Sequence, residues 1–163
     1  MLACLLMLGG GLIANAQTKA PLSPKDSVET ALSSGADLKI VYSRPSLRNR
    51  DITTIVPFGK VWRTGANAAT IFEVSQDVTV GGKAVPAGKY SLYTIPGKEN
   101  TTVILNKTWS GSGLAYDQAN DFVRFEVPTK MTGDQVEQFT IKAETTGEVD
   151  LLWSNWDIAF TVE

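Results

Sequence analysis

The sequence predicts an all-β fold, a single antiparallel β-sandwich of jelly-roll-like or barrel-like shape with little helix. Three observations predict this class. Apolar and polar residues alternate with a period of two in many short runs. Turn signals that contain glycine or proline separate these runs. No long segment after residue 16 repeats its apolar residues with a helical period. Short strands joined by tight turns are typical of sandwiches and barrels.

The first part of the chain contains six strand candidates. Leu38, Ile40 and Tyr42 share one face of a strand, which we expect to be buried. The first candidate could also be a single helical turn, but Val28 and Thr30 favour a strand. In chain order the candidates are residues 26–32, 38–43, 69–75, 78–80, 89–95 and 101–106. The turn signals between them are Ser34-Gly35, Gly81-Gly82, Pro86-Ala87-Gly88 and Pro96-Gly97.

The second part of the chain contains four further alternating runs. They are residues 123–127, 139–143, 149–153 and 156–162. Turns are predicted at residues 110–113, 132–133 and 146–147. Strands of this kind bury one face and expose the other to water. The predicted core therefore includes Phe125, Ile141, Leu151, Ile158 and Phe160.

The N-terminus predicts export. An apolar stretch from Leu2 to Ile13 is followed by Ala14-Asn15-Ala16, the small-x-small pattern of a cleavage site. We therefore expect residues 1–16 to be a signal peptide, residues 17–25 a flexible leader and residues 26–163 one β-sandwich domain. A buried N-terminal helix is the alternative. The export reading predicts a periplasmic or secreted protein that is not inserted in the membrane after cleavage.

Composition excludes several kinds of active site. Cys4 is the only cysteine and the chain has no histidine. The mature chain of 163 − 16 = 147 residues would thus lack disulfides, cysteine or histidine zinc sites, and Ser-His or Cys-His nucleophile pairs. We predict no metal and no cofactor. Carboxylates remain as acid–base groups, with Glu73, Asp117 and Asp121 as candidates, but the pattern assigns no catalytic residue.

Charge is distributed unevenly along the chain. Residues 17–107 carry 12 Lys and Arg against 7 Asp and Glu, whereas residues 108–163 carry 3 against 10. The net charge is −2 and no basic run of the kind that grips nucleic acid is present. Two interpretations stay open, because the two halves could pair their charges in the fold or the basic half could bind an anion.

The first candidate recognition residues lie at a strand end. Arg44 shares the face of Leu38, Ile40 and Tyr42, which is the face expected to be buried. An arginine there must be paired or must look into a cavity, because burying a bare charge is costly. Pro45 ends the strand directly after it. We therefore expect Tyr42 and Arg44 to lie side by side at the rim of the sheet.

A second run places a large aromatic, a permanent cation, a hydroxyl and an amide around one glycine: Trp62-Arg63-Thr64-Gly65-Ala66-Asn67. Arg63 offers a planar fork of donors that matches carboxylate, phosphate or sulfate. Trp62 offers a flat face for a sugar ring or a cation. Two interpretations stay open: a recognition site, or a core tryptophan beside an arginine that pairs with Glu73 or Asp157.

A third candidate lies in a loop. Trp109 follows a predicted strand and precedes a segment rich in glycine and serine. Binding residues are concentrated in loops that a rigid scaffold positions. Trp109 could be a platform for sugars or peptides, or an apolar lid on the end of the sandwich.

These segments resemble a known family. The hallmark segments of the family called domain of unknown function 2911 are similar to Tyr42-Ser43-Arg44-Pro45, to Gly59-Lys60-Val61-Trp62-Arg63-Thr64-Gly65-Ala66-Asn67 and to residues 86–97. The resemblance extends from about Ser23 to the C-terminus. It implies an exported bacterial protein, typical of the Bacteroidetes, and no assigned activity. The family pattern commonly has Glu where this chain has Ala68. If that Glu is catalytic, this chain is inactive, and if it only holds Arg63 in place, another acid must do so here.

The leading functional hypothesis is a periplasmic module that binds a small anionic or hydroxylated ligand, glycans included. Arg44 and Arg63 would converge around the anion. The predicted contacts are Tyr42, Arg44, Trp62, Arg63, Thr64, Asn67 and Trp109. One alternative is a carboxylate-dependent hydrolase acting on glycans. Another is a purely structural or interaction domain in which both arginines serve internal ion pairs. We expect no nucleic-acid partner, and the oligomeric state stays open.

Overall fold

The computed structural model describes residues 21–110 and 115–163. The predicted signal peptide, residues 17–20 of the predicted leader and residues 111–113 of the turn predicted at 110–113 lie outside this part. No helix in the described part is long and apolar enough to span a membrane. The end of the leader contacts the fold, since Pro24 O accepts a hydrogen bond from Arg44 N at 2.9 Å and the first strand begins at Lys25.

The described residues form nine strands, one short α-helix and one 3₁₀ turn. The strands are β1 (Lys25–Ala31), β2 (Asp37–Ser43), β3 (Thr70–Val74), β4 (Val78–Val80), β5 (Lys83–Val85), β6 (Gly88–Ile95), β7 (Asn100–Asn106), β8 (Asp121–Ala143) and β9 (Glu148–Thr161). The helix is α1 (Ile52–Ile55), and the 3₁₀ turn is Gln118–Asn120. The sequence did not predict α1 or β5, because four and three residues are too few to show a period.

Seven strands form one antiparallel sheet in the order β1-β2-β3-β6-β7-β8-β9, and β4 and β5 form a second, two-stranded sheet. The main sheet curls into a half-barrel. The long strand β8 makes this possible, because it pairs with β7 through residues 121–128 and with β9 through residues 129–143. The predicted all-β antiparallel class with little helix is confirmed, and the observed shape is the barrel-like one.

The curl brings the second half of β8 against the end of β2. Phe139 N donates a hydrogen bond to Pro45 O at 2.9 Å, and Leu47 N donates to Glu137 O at 2.9 Å. These hydrogen bonds pair backbone groups of the segment after β2 with those of β8, although β2 and β8 are not neighbours in the sheet. Backbone N–H and C=O groups that are removed from water need such partners. The contact places the segment after β2 directly beside β8.

One apolar core fills the inside of the curled sheet. Its largest fully buried side chains include Trp153, Phe72 and Phe139. Four of the five predicted core residues are buried, namely Ile141, Leu151, Ile158 and Phe160. Phe125 is only partly buried and packs against the core. Gly81 lies against the ring of Phe125 so closely that a Cβ there would come within 2.4 Å of it.

Strand β9 is continuous where the sequence predicted two strands. Trp153 and Trp156 are both buried, at 1% and 3% exposure, although residues three apart on a regular strand face opposite sides. Ser154 between them has a φ of 55°. This left-handed residue changes which side chains face the core, as a bulge does. The break predicted at Thr132-Gly133 is also absent, because β8 continues there with an irregular register.

Candidate functional site

A long connection between β2 and β3, residues 44–69, carries most of the predicted site residues. Connections of this length are often functional. Ile52 and Val56 anchor it in the core, where both are buried. Phe58 stacks on Trp156 with ring centroids 5.3 Å apart. These contacts fix the connection on the end of the core, so its side chains have defined positions.

The first polar cluster, which we call the scaffold triad, consists of Tyr42, Arg44 and Asp26. Asp26 lies opposite Tyr42 in the register of β1 and β2. Its Oδ2 lies 3.2 Å from Arg44 Nη1 and accepts a long hydrogen bond of 3.5 Å from the Tyr42 hydroxyl. The Tyr42 oxygen accepts a hydrogen bond from Ile141 N at 2.9 Å. The phenol therefore has a protein partner for its proton and another for its oxygen.

Arg44 has further partners on β8. Its Nε donates to Phe139 O at 3.0 Å, and its Nη2 donates to Thr140 Oγ1 at 2.7 Å. All three nitrogens of the guanidinium thus contact protein acceptors. Of the two predicted alternatives for Arg44, a protein partner or a cavity, the structure shows the protein partner. Burial raises the pKa of Tyr42, so its hydroxyl keeps its proton at neutral pH. The scaffold triad joins β1 and β2 to β8.

Trp62 is partly buried and packs against the core, close to one of its two predicted roles. Its ring stacks on Trp153 at a centroid distance of 5.6 Å and meets Phe139 edge-on at 5.0 Å. Its Nε1 donates to Gly65 O at 3.0 Å. The ring is half-buried, and its remaining surface borders two adjacent clefts. Trp62 therefore packs against the core and also forms a cleft wall.

The backbone turns sharply in the middle of the Trp62–Asn67 run. Thr64 has a φ of 51° and Asn67 a φ of 62°. A β-branched residue adopts this conformation only where its surroundings determine it. Thr64 is fully buried, and its carbonyl accepts from Thr70 Oγ1 at 2.6 Å. A Cβ at Gly65 would lie 3.0 Å from a backbone oxygen of β2. Thr64 is therefore buried within the loop and lines neither of the two clefts beside Trp62.

Arg63 has few protein partners. Its Nη1 donates to Asn67 O at 2.8 Å. Among the described residues, neither Arg63 nor Lys60 forms an ion pair with a carboxylate. Glu73, one of the acids considered for Arg63, instead lies 3.3 Å from Lys89 Nζ. Most of the guanidinium donors of Arg63 are therefore not used by the described protein.

Lys60 and Arg63 line the same cleft. It has a volume of about 400 Å³ and its lining residues are Ile55, Val56, Pro57, Lys60, Val61, Trp62, Arg63 and Tyr116. No Asp or Glu belongs to this described lining. Trp62 and Arg63 also border a smaller cleft of about 200 Å³ beside Asn67 and Trp153. The larger cleft lies between the β2–β3 connection and the β7–β8 connection, and its charged side chains are both cations.

Tyr116 belongs to a second polar cluster, the cleft triad, with Asp121 and Arg124. Its hydroxyl donates to Asp121 Oδ2 at 2.7 Å, and Arg124 Nη1 lies 3.1 Å from the same oxygen. Asn106 Nδ2 donates to Asp121 Oδ1 at 2.9 Å. The Asp121 side chain is only 7% exposed. Burial and then the hydrogen bond to Asp121 raise the pKa of Tyr116 to about 12.

Among the described residues, no carboxylate bridges the two arginines of the predicted site. Within the described residues, the carboxylate that pairs with Arg44 is Asp26, and Asp26 forms no ion pair with Arg63. Arg44 and Tyr42 line neither of the two clefts beside Arg63. Among the described contacts, the two guanidinium groups share no protein partner, so these contacts do not support the predicted convergence. The side chain of Arg44 points to carbonyl and hydroxyl acceptors on β8, which the sequence did not identify as its neighbours.

Trp109 lies apart from both clefts. The residue is 46% exposed, and Lys89 Nζ lies 5.5 Å from the centre of its ring. Lys89 also pairs with Glu73 across β3 and β6. Trp109 is therefore exposed as a platform would be, but the described cleft linings do not include it.

The candidate catalytic carboxylates all have protein partners. Glu73 pairs with Lys89, and Asp121 accepts from three donors in and beside the cleft triad. Asp117 caps the 3₁₀ turn by accepting from Ala119 N at 2.9 Å. In the part of the chain that is described, no group of three or more Asp, Glu, His or Cys side chains fits a metal ion.

Sequence reasoning missed two residues of the larger cleft. Lys60 was not among the predicted contacts, although it lies three positions before Arg63 in the same run. Tyr116 follows the glycine-rich segment after Trp109 and has no periodic pattern around it. Asp121 was singled out as an acid, but its role in holding Tyr116 depends on a loop conformation. No spacing rule predicts that conformation.

The comparison with protein families identifies the chain as a member of one. The model of the family described as "Protein of unknown function (DUF2911)" matches residues 23–162, and the chain belongs to this family. The resemblance inferred from residues 42–45, 59–67 and 86–97 is thereby confirmed. No curated protein and no solved structure matches the chain.

Proposed function

We propose that this DUF2911 protein is an exported binding module for a small anionic ligand, which it holds in the cleft lined by Lys60, Arg63, Trp62 and Tyr116. One observation carries the proposal: two cations without carboxylate partners among the described residues line a single cleft whose described lining contains no acid. Like charges that share a cleft repel each other, and an anion between them would relieve this repulsion.

The donor geometry of Arg63 supports an anionic ligand. A guanidinium offers five N–H donors, and the protein uses Nη1 of Arg63 for the Asn67 carbonyl. That hydrogen bond holds the side chain in place and leaves other N–H groups of the fork for a carboxylate, phosphate or sulfate. Lys60 adds a second, mobile point charge to the same cleft.

The remaining walls support a ligand of modest size with an apolar face. Small-molecule sites commonly have volumes of about 300–1,000 Å³ and combine apolar walls with a few polar groups. The volume of about 400 Å³ lies within this range. Trp62 and Tyr116 supply aromatic surface, and Ile55 and Pro57 supply aliphatic surface. An acidic sugar or another ring that bears a carboxylate has these properties.

The predicted signal peptide supports a ligand met outside the cytoplasm. Of the alternatives, the structural one requires Arg63 to serve an internal ion pair, but its described contact is a neutral backbone carbonyl. The hydrolase alternative requires free carboxylates at the cleft. The candidates Asp117 and Asp121 instead serve as a cap and as the acceptor for three donors.

Thermal unfolding with a ligand panel tests the proposal. The panel contains glucuronate, galacturonate, inorganic phosphate, sulfate and neutral oligosaccharides. We expect at least one anion to raise the melting temperature of the wild type, because binding to the folded state stabilises it. The neutral oligosaccharides should have no effect. Absence of any shift at millimolar anion would reject the proposal.

Arg63→Ala and a matched control then locate the site. Arg63→Ala should weaken binding of the anion about 10- to 100-fold, the effect of losing hydrogen bonds to a charged group. Arg48→Ala is the control, because Arg48 Nη2 also donates to one backbone carbonyl, that of Leu22, and Arg48 does not line the cleft. Equal losses in the two variants would show that only the general positive charge matters.

A further inference from the structure

We infer that the ligand of the Lys60/Arg63 cleft belongs to the hydroxy acids: it carries, besides its anionic group, a hydroxyl that donates a hydrogen bond to the Tyr116 oxygen. The inference rests on the proposed function and deepens it by naming the ligand class. It depends on the arrangement of the cleft triad, which determines whether Tyr116 acts as a donor or as an acceptor.

The proton of the Tyr116 hydroxyl already has a protein acceptor. The distance from the Tyr116 oxygen to Asp121 Oδ2 is 2.7 Å, which lies within the usual range for a hydrogen bond from a hydroxyl to a carboxylate. Arg124 and Asn106 hold the Asp121 carboxylate from its other sides, at 3.1 Å and 2.9 Å. A carboxylate fixed by two other donors and only 7% exposed cannot turn away from the phenol.

The Tyr116 oxygen is therefore left as an acceptor. A phenol has one proton to donate, and its oxygen accepts hydrogen bonds. The described protein donor nearest this oxygen is Arg124 Nη1, at a weak 3.5 Å. Burial and Asp121 raise the pKa of Tyr116 to about 12, so this arrangement persists across the physiological range of pH. A ligand group beside the Tyr116 oxygen must bring its own proton.

The same cleft thus offers two opposite kinds of group. Lys60 and Arg63 are donors that never accept, and they select an anionic group. Tyr116 is an acceptor and selects a hydroxyl or an N–H on the same ligand. A simple carboxylic acid satisfies the first requirement alone. A sugar acid, which carries hydroxyls on the ring that bears its carboxylate, satisfies both.

Calorimetric titration with matched ligands tests the inference. Glucuronate and cyclohexanecarboxylate share a six-membered ring and one carboxylate, but the second lacks hydroxyls. We expect the wild type to bind glucuronate about 3- to 10-fold more tightly, the effect of one added neutral hydrogen bond. Tyr116→Phe should reduce this ratio to about 1 and leave the affinity for cyclohexanecarboxylate unchanged.

Tyr90→Phe is the matched control. Tyr90 also loses one hydroxyl that donates to the protein, to Pro86 O at 2.9 Å, and it does not line the cleft. The glucuronate preference should persist in Tyr90→Phe. Equal affinities of the wild type for both acids, or a preference that survives Tyr116→Phe, would overturn the inference.

A sulfate titration separates this inference from the proposed function. Binding of sulfate or cyclohexanecarboxylate that Arg63→Ala abolishes, without any glucuronate preference, would leave the anion site standing and reject the hydroxy-acid class. Failure of every anion to bind the wild type would reject both.

Discussion

The molecule contains two clusters that each consist of one Arg, one Asp and one Tyr, but the two clusters have different roles. In the scaffold triad, Arg44 Nη1 lies 3.2 Å from Asp26 and the Tyr42 oxygen accepts from a backbone N–H of β8. In the cleft triad, Arg124 Nη1 lies 3.1 Å from Asp121, and Tyr116 borders a cleft that contains two cations. In both triads an arginine and a tyrosine contact one carboxylate oxygen.

The comparison shows that the residue types alone do not decide the role of such a cluster. The Tyr42 oxygen accepts a hydrogen bond from Ile141 N at 2.9 Å, so this oxygen already has a strong protein donor. The Tyr116 oxygen has a described protein donor only at 3.5 Å, so it can accept from a ligand. The second partner of the phenol oxygen thus distinguishes a cross-link within the fold from a candidate recognition site.

Arg44→Ala should have the largest effect on stability. It removes the donors to Phe139 O and Thr140 Oγ1 and leaves Asp26 without its cation. We expect a loss of about 2–3 kcal/mol in the free energy of unfolding, because hydrogen bonds from a charged, half-buried group are lost together. Urea unfolding measures this value. Arg63→Ala should cost less than about 1 kcal/mol, since it removes one hydrogen bond near the surface. The reverse order would contradict the division of roles.

Tyr42→Phe should have the next largest effect. It leaves the buried Ile141 N–H without an acceptor, which costs about 1–2 kcal/mol. Tyr116→Phe should cost less than about 1 kcal/mol, because Asp121 keeps its hydrogen bonds from Asn106 and Arg124. Thermal unfolding of both variants side by side gives the comparison. Equal losses would mean that Tyr116 is as much a part of the scaffold as Tyr42.

Tyr116 should also affect the alkaline pH dependence of stability. Its pKa in the folded protein is about 12, against 10.0 for the ordinary side chain. Between these values the folded state binds more protons than the unfolded state, so the free energy of unfolding falls as pH rises from about 10 to about 12. The contribution of the protonated Tyr116 hydroxyl to the free energy of unfolding is fully present below about pH 10. Tyr116→Phe should therefore show a shallower decline than the wild type in urea unfolding over this range, and an identical decline would contradict the raised pKa of Tyr116.

The strands could be predicted from the sequence because one buried face imposes a period of two. The change of period near Ser154 was visible as two alternating runs, one ending at Trp153 and one beginning at Trp156. A bulge and a break leave the same trace in sequence, and only the positive φ of Ser154 shows that the strand continues. The alternating runs therefore predicted which side chains of this segment are buried, but they did not predict that the strand is continuous.

The sequence allowed part of the scaffold triad to be predicted, but it did not allow the cleft to be predicted. Arg44 lies on the core-facing register, so a partner was required, and the pairing of β1 with β2 sets Asp26 opposite Tyr42. The cleft depends on two loops that meet in space. Lys60 and Arg63 come from one and Tyr116 from the other, separated by more than fifty residues. Neither loop repeats a pattern that fixes its conformation, so sequence spacing could not bring these side chains together.

The central claim is that small anions bind at the Lys60/Arg63 cleft and not at the scaffold triad or beside Trp109. Backbone amide NMR of the wild-type protein titrated with glucuronate tests it most directly. We predict shift changes centred on residues 60–63, Asn67 and Tyr116, with the amides of Tyr42, Arg44 and Trp109 unmoved. Changes centred on Arg44 or Trp109, or no changes at millimolar glucuronate and sulfate, would contradict it.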